Sequence, residues 1–150
     1  MVYMEYDAPV GKLFLAADDS GLKALGFGDA AGETGWSPAL EQAKCWLDDY
    51  FRGIVRTVDI PLKPEGTVFQ QKVWKMLLEI PYGQTVSYGD LARKLGNNMS
   101  AQAVGQAVCK NPIAILIPCH RVVGARGQLT GYAWGIEKKK WLLNLEAGRE

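Results

Sequence analysis

Residues 87–110 read SYGDLARKLGNNMSAQAVGQAVCK, and this stretch decides the fold of the second half of the chain. Ser87 followed three residues later by Asp90 is a capping pattern that starts a helix, with Leu91 and Leu95 on its inward face. Gly96 stops that helix, because a glycine takes backbone angles that a side chain disfavours. Asn97-Asn98-Met99 supplies the turn, and Ser100 caps a second helix from Ala101 to about Lys110 with Ala101, Val104 and Val108 inward. Two short helices joined by a tight Gly-Asn turn make a helix-turn-helix. The second helix is unusually slim, with Ala101, Ala103, Gly105 and Ala107 along it. A glycine inside a helix costs about 1 kcal/mol relative to alanine, so Gly105 predicts close packing or close contact. A helix without bulky side chains suits a narrow groove such as the DNA minor groove. Packing against the neighbouring helix would explain the same small residues.

Downstream lies Ile117-Pro118-Cys119-His120-Arg121-Val122. The only histidine of the chain stands beside one of its three cysteines. A thiol attacks as the thiolate, and an imidazole is a common base for making one. The apolar run Ile113 to Ile117 reads as a buried strand that ends at Pro118, which lacks an N–H and restricts its predecessor. A turn after it would bring sulfur and imidazole to one side, where direct contact and one bridging water are both open.

Upstream, Thr67-x-x-Gln70 is a capping box for a helix whose Phe69, Val73, Met76-Leu77 and Ile80 share a face. Residues 61–66 read as a linker. Before it, Val2 to Tyr6, Lys12 to Ala17 and Leu22 to Phe27 alternate as strands around strong turns, 28–38 reads as a loop, a helix runs from Pro38 to near Gly53, and Val55 to Ile60 reads as a further strand. The chain is therefore expected to be α+β: a small β-sheet and helix domain over 1–62, then a mostly helical domain over 66–150 carrying the helix-turn-helix and an active-site loop.

At 150 residues and 48% hydrophobic content the chain can bury a core without staples. It has no long apolar run and no leader pattern, so a soluble intracellular protein (cytoplasm, nucleoid or nucleus) is expected, with no membrane partner. Three widely spaced cysteines fit free thiols in a reducing compartment, and one histidine without C-x-x-C argues against a metal site. Net charge is +1, but residues 81–140 carry eight Lys/Arg against two Asp/Glu, while residues 1–80 carry eight against twelve. The basic part is a candidate polyanion surface.

Taken together, Pro81-Tyr82-Gly83, Val86-Ser87-Tyr88, Ala103-Val104-Gly105, Asn111-Pro112, Ile115 through Val123, Gly131-Tyr132 and Trp141-Leu142-Leu143 with Glu146 resemble the O6-alkylguanine-DNA alkyltransferases, over about residues 66–147. The resemblance implies a ribonuclease H-like first domain and a monomer that needs no cofactor. It implies irreversible transfer of the alkyl group from O6-alkylguanine in double-stranded DNA, with O4-alkylthymine as a second candidate substrate. Cys119 would accept the group once, after the nucleotide has been flipped out. His120 would take the thiol proton through a water, Glu146 would orient His120, Asn111 would hold the turn before Cys119, and Tyr88 would crowd the 3′ phosphate and offer its hydroxyl to the departing guanine. DNA contacts would come from Ser100, Gln102, Ala103, Gly105, Gln106 and Arg121, with the second helix in the minor groove. Tyr132, Ala133 and Trp134, with the backbone of Cys119 and Val122, would hold the lesion. Two positions depart from the family pattern. Gln102 stands where Arg is usual, and Trp134 stands where some members have Gly. The rival readings are a Cys-His hydrolase and a damage-binding protein with weak transfer activity.

Overall fold

A computed structural model describes residues 1–96 and 99–148 and divides the chain into two compact units, residues 1–65 and 66–150. The expected turn at Asn97-Asn98 lies outside the described residues. The architecture is α+β, as the alternation of strand and helix patterns implies.

The first unit opens with an antiparallel sheet in the order β1 (Val2–Ala8), β2 (Gly11–Asp18), β3 (Gly21–Phe27). Asp18 accepts from the Ser20 amide at 2.8 Å and so fixes the second turn. Gly21 is required there. Its φ is +147°, and a Cβ would stand 2.4 Å from the Pro61 carbonyl. Helix α1 (Pro38–Phe51) starts at Ser37, whose hydroxyl accepts from the Leu40 amide, with Pro38 in the first turn. Its face of Leu40, Ala43, Leu47 and Tyr50 is buried, as are Leu13 and Leu15 of β2 and Leu22 and Leu25 of β3. The expected strand over Val55–Ile60 does not form. Extended pairing is confined to a bridge between Leu22 and Leu62. Cys45 is exposed, because it sits two residues from both Ala43 and Leu47 and therefore on the opposite side of the helix.

In the second unit, α2 (Val68–Leu77) carries the expected capping box of Thr67 and Gln70. Its Trp74 donates Nε1–H to the Ala107 carbonyl at 2.9 Å and ties α2 to α4 (Ala101–Cys109). Helix α3 (Tyr88–Leu95) begins with reciprocal Ser87 and Asp90 caps and packs on α4, giving the helix-turn-helix pair. Ala101 is exposed rather than inward, whereas Val104, Ala107 and Val108 are buried. Strand β4 (Val86–Ser87) pairs in parallel with β5 (Val122–Val123), and α5 (Ile136–Glu146) closes the chain. No helix among the described residues is long and apolar enough to cross a membrane.

Candidate active site

The run from Ile113 to Ile117 is buried, but it is a turn rather than the expected strand. The cause is Asn111. Its Nδ2 donates to the carbonyls of Ile113 (3.2 Å) and Ile117 (2.9 Å), and its Oδ1 accepts from the Ile113 amide (3.0 Å). One buried amide thus satisfies backbone groups that a neighbouring strand would otherwise have to pair. Ile115 sits inside this loop at φ +69°, a rare conformation for a β-branched residue and one that breaks an extended run. Pro118 then leads into a single 3-10 turn, Cys119–Arg121, so sulfur, imidazole and guanidinium leave the backbone within one turn.

His120 and Glu146 meet in the interior, with side chains 0% and 1% exposed. His120 Nε2 lies 2.6 Å from Glu146 Oε2. The same carboxylate accepts from Arg121 Nε at 2.7 Å and Nη2 at 3.0 Å, and from the Gly83 amide at 3.4 Å. Burial alone would raise its pKa, but His120 and Arg121 together hold it well below the usual carboxylate range. Burial pushes the pKa of His120 down, and Glu146 opposes this. A neutral His120 beside this anion carries its proton on Nε2. Its other nitrogen, Nδ1, is buried without a hydrogen-bond partner among the described residues, so it presents a lone pair.

Arg121 corrects the expectation of a DNA contact. It is buried, with two nitrogens on Glu146 and Nη1 donating to the Ile80 carbonyl at 2.8 Å. A cation held in this way orients Glu146. Burial pushes the Cys119 pKa up to about 11, with the Asn111 amide and the Lys139 ammonium opposing it. The free protein therefore holds a thiol, and its proton must be removed when the reaction occurs.

Lys139 was not legible as a site residue. It is fully buried, donates Nζ to the Thr130 carbonyl at 2.8 Å, and stands 5.8 Å from the centre of the Tyr88 ring. The signal was present in spacing. Lys139, Leu142 and Glu146 follow one another at three and four residues on the buried face of α5. Val122 is buried beside the 3-10 turn. Tyr132 is buried, and its hydroxyl has no hydrogen-bond partner among the described residues. Ala133 is exposed and Trp134 half-buried in the loop that precedes α5.

Helix α4 borders a surface groove of about 750 Å³ lined by Gln102, Gly105, Gln106, Tyr88 and Thr130 among others. Gln102 and Gln106 are exposed, Ala103 and Gly105 half-exposed, and Ser100 serves as the N-cap by accepting from the Ala103 amide. A Cβ on Gly105 would meet the Tyr88 ring at 3.6 Å, an ordinary contact. Packing therefore does not demand glycine there. Tyr88 donates its hydroxyl to the Thr130 carbonyl at 3.0 Å. Among the described residues there is no cluster of three or more His, Cys, Asp or Glu suited to a metal ion.

With this geometry in view, the chain can be compared with known proteins. Residues 68–148 match the DNA-binding domain of 6-O-methylguanine DNA methyltransferase, and residues 1–64 match the ribonuclease-like domain of the same family. The methylated-DNA–protein-cysteine methyltransferase of Methanosarcina acetivorans is 46% identical over 97% of this chain and 98% of its own length. The crystal structure of Mycobacterium tuberculosis OGT in complex with DNA superposes with a TM-score of 0.90 at 45% identity, covering 99% of this chain and 94% of that one. The O6-methylguanine DNA methyltransferase of Methanococcus jannaschii gives a TM-score of 0.73 at 31% identity, covering 98% and 95%.

Proposed function

The chain belongs to the 6-O-methylguanine DNA methyltransferase family, and on that premise we propose that it repairs DNA by moving the alkyl group of O6-alkylguanine onto Cys119. The reaction is methylated-DNA–protein-cysteine methyl transfer, and its partner is DNA. Sulfur attacks the alkyl carbon in line. The S–C bond forms as the C–O6 bond breaks, and guanine leaves with the bonding pair on O6. The thiol proton passes to His120 Nδ1 through a water, and guanine regains a proton as it departs. The thioether has no route back, so each molecule acts once.

The observation that carries this reading is the state of His120. Glu146 fixes Nε2–H, which leaves Nδ1 buried and free to accept. Arg121 holds Glu146 in place, which restrains the carboxylate against rotation. A base of this kind matches the need set by Cys119, whose burial keeps it protonated until substrate arrives. Asn111 anchors the turn that presents the thiol.

An alkylated guanine inside a base stack cannot offer its O6 substituent to sulfur in line, so the nucleotide must be flipped out. Helix α4 enters the minor groove with Ser100, Gln102, Ala103, Gly105 and Gln106 toward DNA, and Gln102 follows the flipped base into the stack. Tyr88 turns the phosphate and offers its hydroxyl to the guanine, which requires release of the Thr130 carbonyl. Tyr132, the Ala133 amide, Trp134 and the backbone of Cys119 and Val122 hold the base. The test is stoichiometry. Incubation with excess O6-methylguanine duplex should repair one lesion per protein molecule, and the spent protein should be inert toward fresh DNA. Repeated turnover would point to hydrolysis, and a mobility shift without repair to a binding protein.

A further inference from the structure

Two consecutive carbonyls, those of Thr130 and Gly131, are held from three helices. Tyr88 at the start of α3 donates Oη to the Thr130 carbonyl at 3.0 Å, and Lys139 of α5 donates Nζ to the same oxygen at 2.8 Å. Cys109, the last residue of α4, donates its thiol to the Gly131 carbonyl at 3.0 Å. Gly131 itself sits at φ +65°, and a Cβ there would stand 3.2 Å from Tyr88 Oη and 3.8 Å from Cys109 Sγ. The backbone is therefore seated closely on both side chains. It continues directly into Tyr132, Ala133 and Trp134. The same four residues, Tyr88, Cys109, Thr130 and Gly131, also line the groove beside α4. The groove that would receive DNA and the loop that would receive the base thus share one seam.

The three donors are not equivalent. Tyr88 and Lys139 back each other up on one oxygen, so either can leave while the other remains. Cys109 alone, among the described residues, donates to the Gly131 carbonyl. We propose that Cys109 is a positioning residue for alkyl transfer. Its thiol ties the end of the recognition helix to the lesion-binding loop and sets where Tyr132 and Trp134 stand relative to Cys119. The inference rests on the function proposed above, because that reading gives the loop its ligand. A thiol is a weak donor, so its contribution lies in register more than in stability.

The test uses the full chain with Cys109→Ala, which removes the donor, and Cys109→Ser, which restores one. Amide hydrogen exchange at residues 132–135 reads the loop without requiring any transfer activity. Exchange there should rise about tenfold in Cys109→Ala, as a local tether is lost, while α2 and α5 exchange as in the parent and Cys109→Ser stays close to it. Transfer from free O6-benzylguanine, which needs no groove, should fall about fivefold in Cys109→Ala and recover in Cys109→Ser. Unchanged loop exchange in Cys109→Ala, or a serine variant no better than the alanine one, overturns the proposal. Failure of the parent protein to transfer would instead defeat the functional reading, and the exchange measurement would still decide the tether.

Discussion

Replacing Glu146 with leucine should damage the helical unit more than any other single change at the site. The carboxylate is 1% exposed and accepts two charge-assisted hydrogen bonds from Arg121 and a third contact from His120. Glu146→Leu leaves the buried Arg121 guanidinium without its counter-charge, with the Ile80 carbonyl and the face of the Tyr82 ring as its remaining contacts among the described residues. Removing one partner of such a pair costs about 3–5 kcal/mol, against a total stability of about 5–15 kcal/mol for a domain. Replacing both ions by apolar groups of similar volume is often close to neutral. The double variant Arg121→Met/Glu146→Leu should therefore recover at least half of the loss, a coupling of roughly 2 kcal/mol or more. Urea unfolding read by hydrogen exchange in α5 measures this on the unit concerned. The double variant should fold and yet transfer slowly, because His120 has lost the anion that fixes its tautomer. If Glu146→Leu costs less than about 1 kcal/mol, the three residues are not a desolvated network and the reasoning fails.

Other outcomes follow from the same geometry. His120 and Glu146 both have folded pKa values pushed below their ordinary values of 6.5 and 4.5, so each stabilises the fold above that value and loses its contribution as pH falls through the lower folded one. Cys119 is raised from 9.0 to about 11, so its contribution is complete below 9.0 and is lost as pH rises through about 11. The urea midpoint of the helical unit should thus be highest between these limits and decline on acidification from about pH 6.5; a flat profile from pH 8 to 4 would contradict the assignments. Gln102→Arg should tighten duplex binding, steepen its salt dependence and speed repair of duplex DNA, with little effect on free O6-alkylguanine, because arginine adds a stackable cation. Equal rates on duplex before and after the change would move the intruding role elsewhere, with Gln106 the first candidate. Methyl adducts should react faster than benzyl adducts, and Trp134→Gly should speed benzyl transfer selectively; a uniform effect would mean that Trp134 shapes the loop and not the pocket.

What was legible in the sequence was mostly local. The caps at Thr67, Ser87 and Ser100 satisfy amides three residues away, so a short window contains all the information. The Cys119-His120 turn is local as well, since Pro118 ends what precedes it. The differences have two causes, a side chain acting for a strand and a partner distant in sequence. Ile113 to Ile117 reads as a strand until the Asn111 amide is seen to satisfy its carbonyls. Arg121 reads as a phosphate contact until Glu146, 25 positions away, is seen to hold it. Lys139 is the middle one of three consecutive lysines, and its spacing from Leu142 and Glu146 puts it on the buried face of α5, where Thr130 accepts from it. Val55 to Ile60 has a strand composition but forms no strand, and the pairing with β3 is made just beyond it, at Leu62.

The central claim is that Cys119 accepts the alkyl group. Duplex DNA carrying O6-methylguanine with a deuterated methyl group tests it most directly, with the reacted protein digested and its three cysteine peptides weighed. One deuterated methyl group per molecule is expected, confined to the peptide containing Cys119 and absent from the Cys119→Ala protein, which should still bind the DNA. Label on the Cys45 or Cys109 peptide, or DNA repaired with all three peptides unchanged, would contradict it.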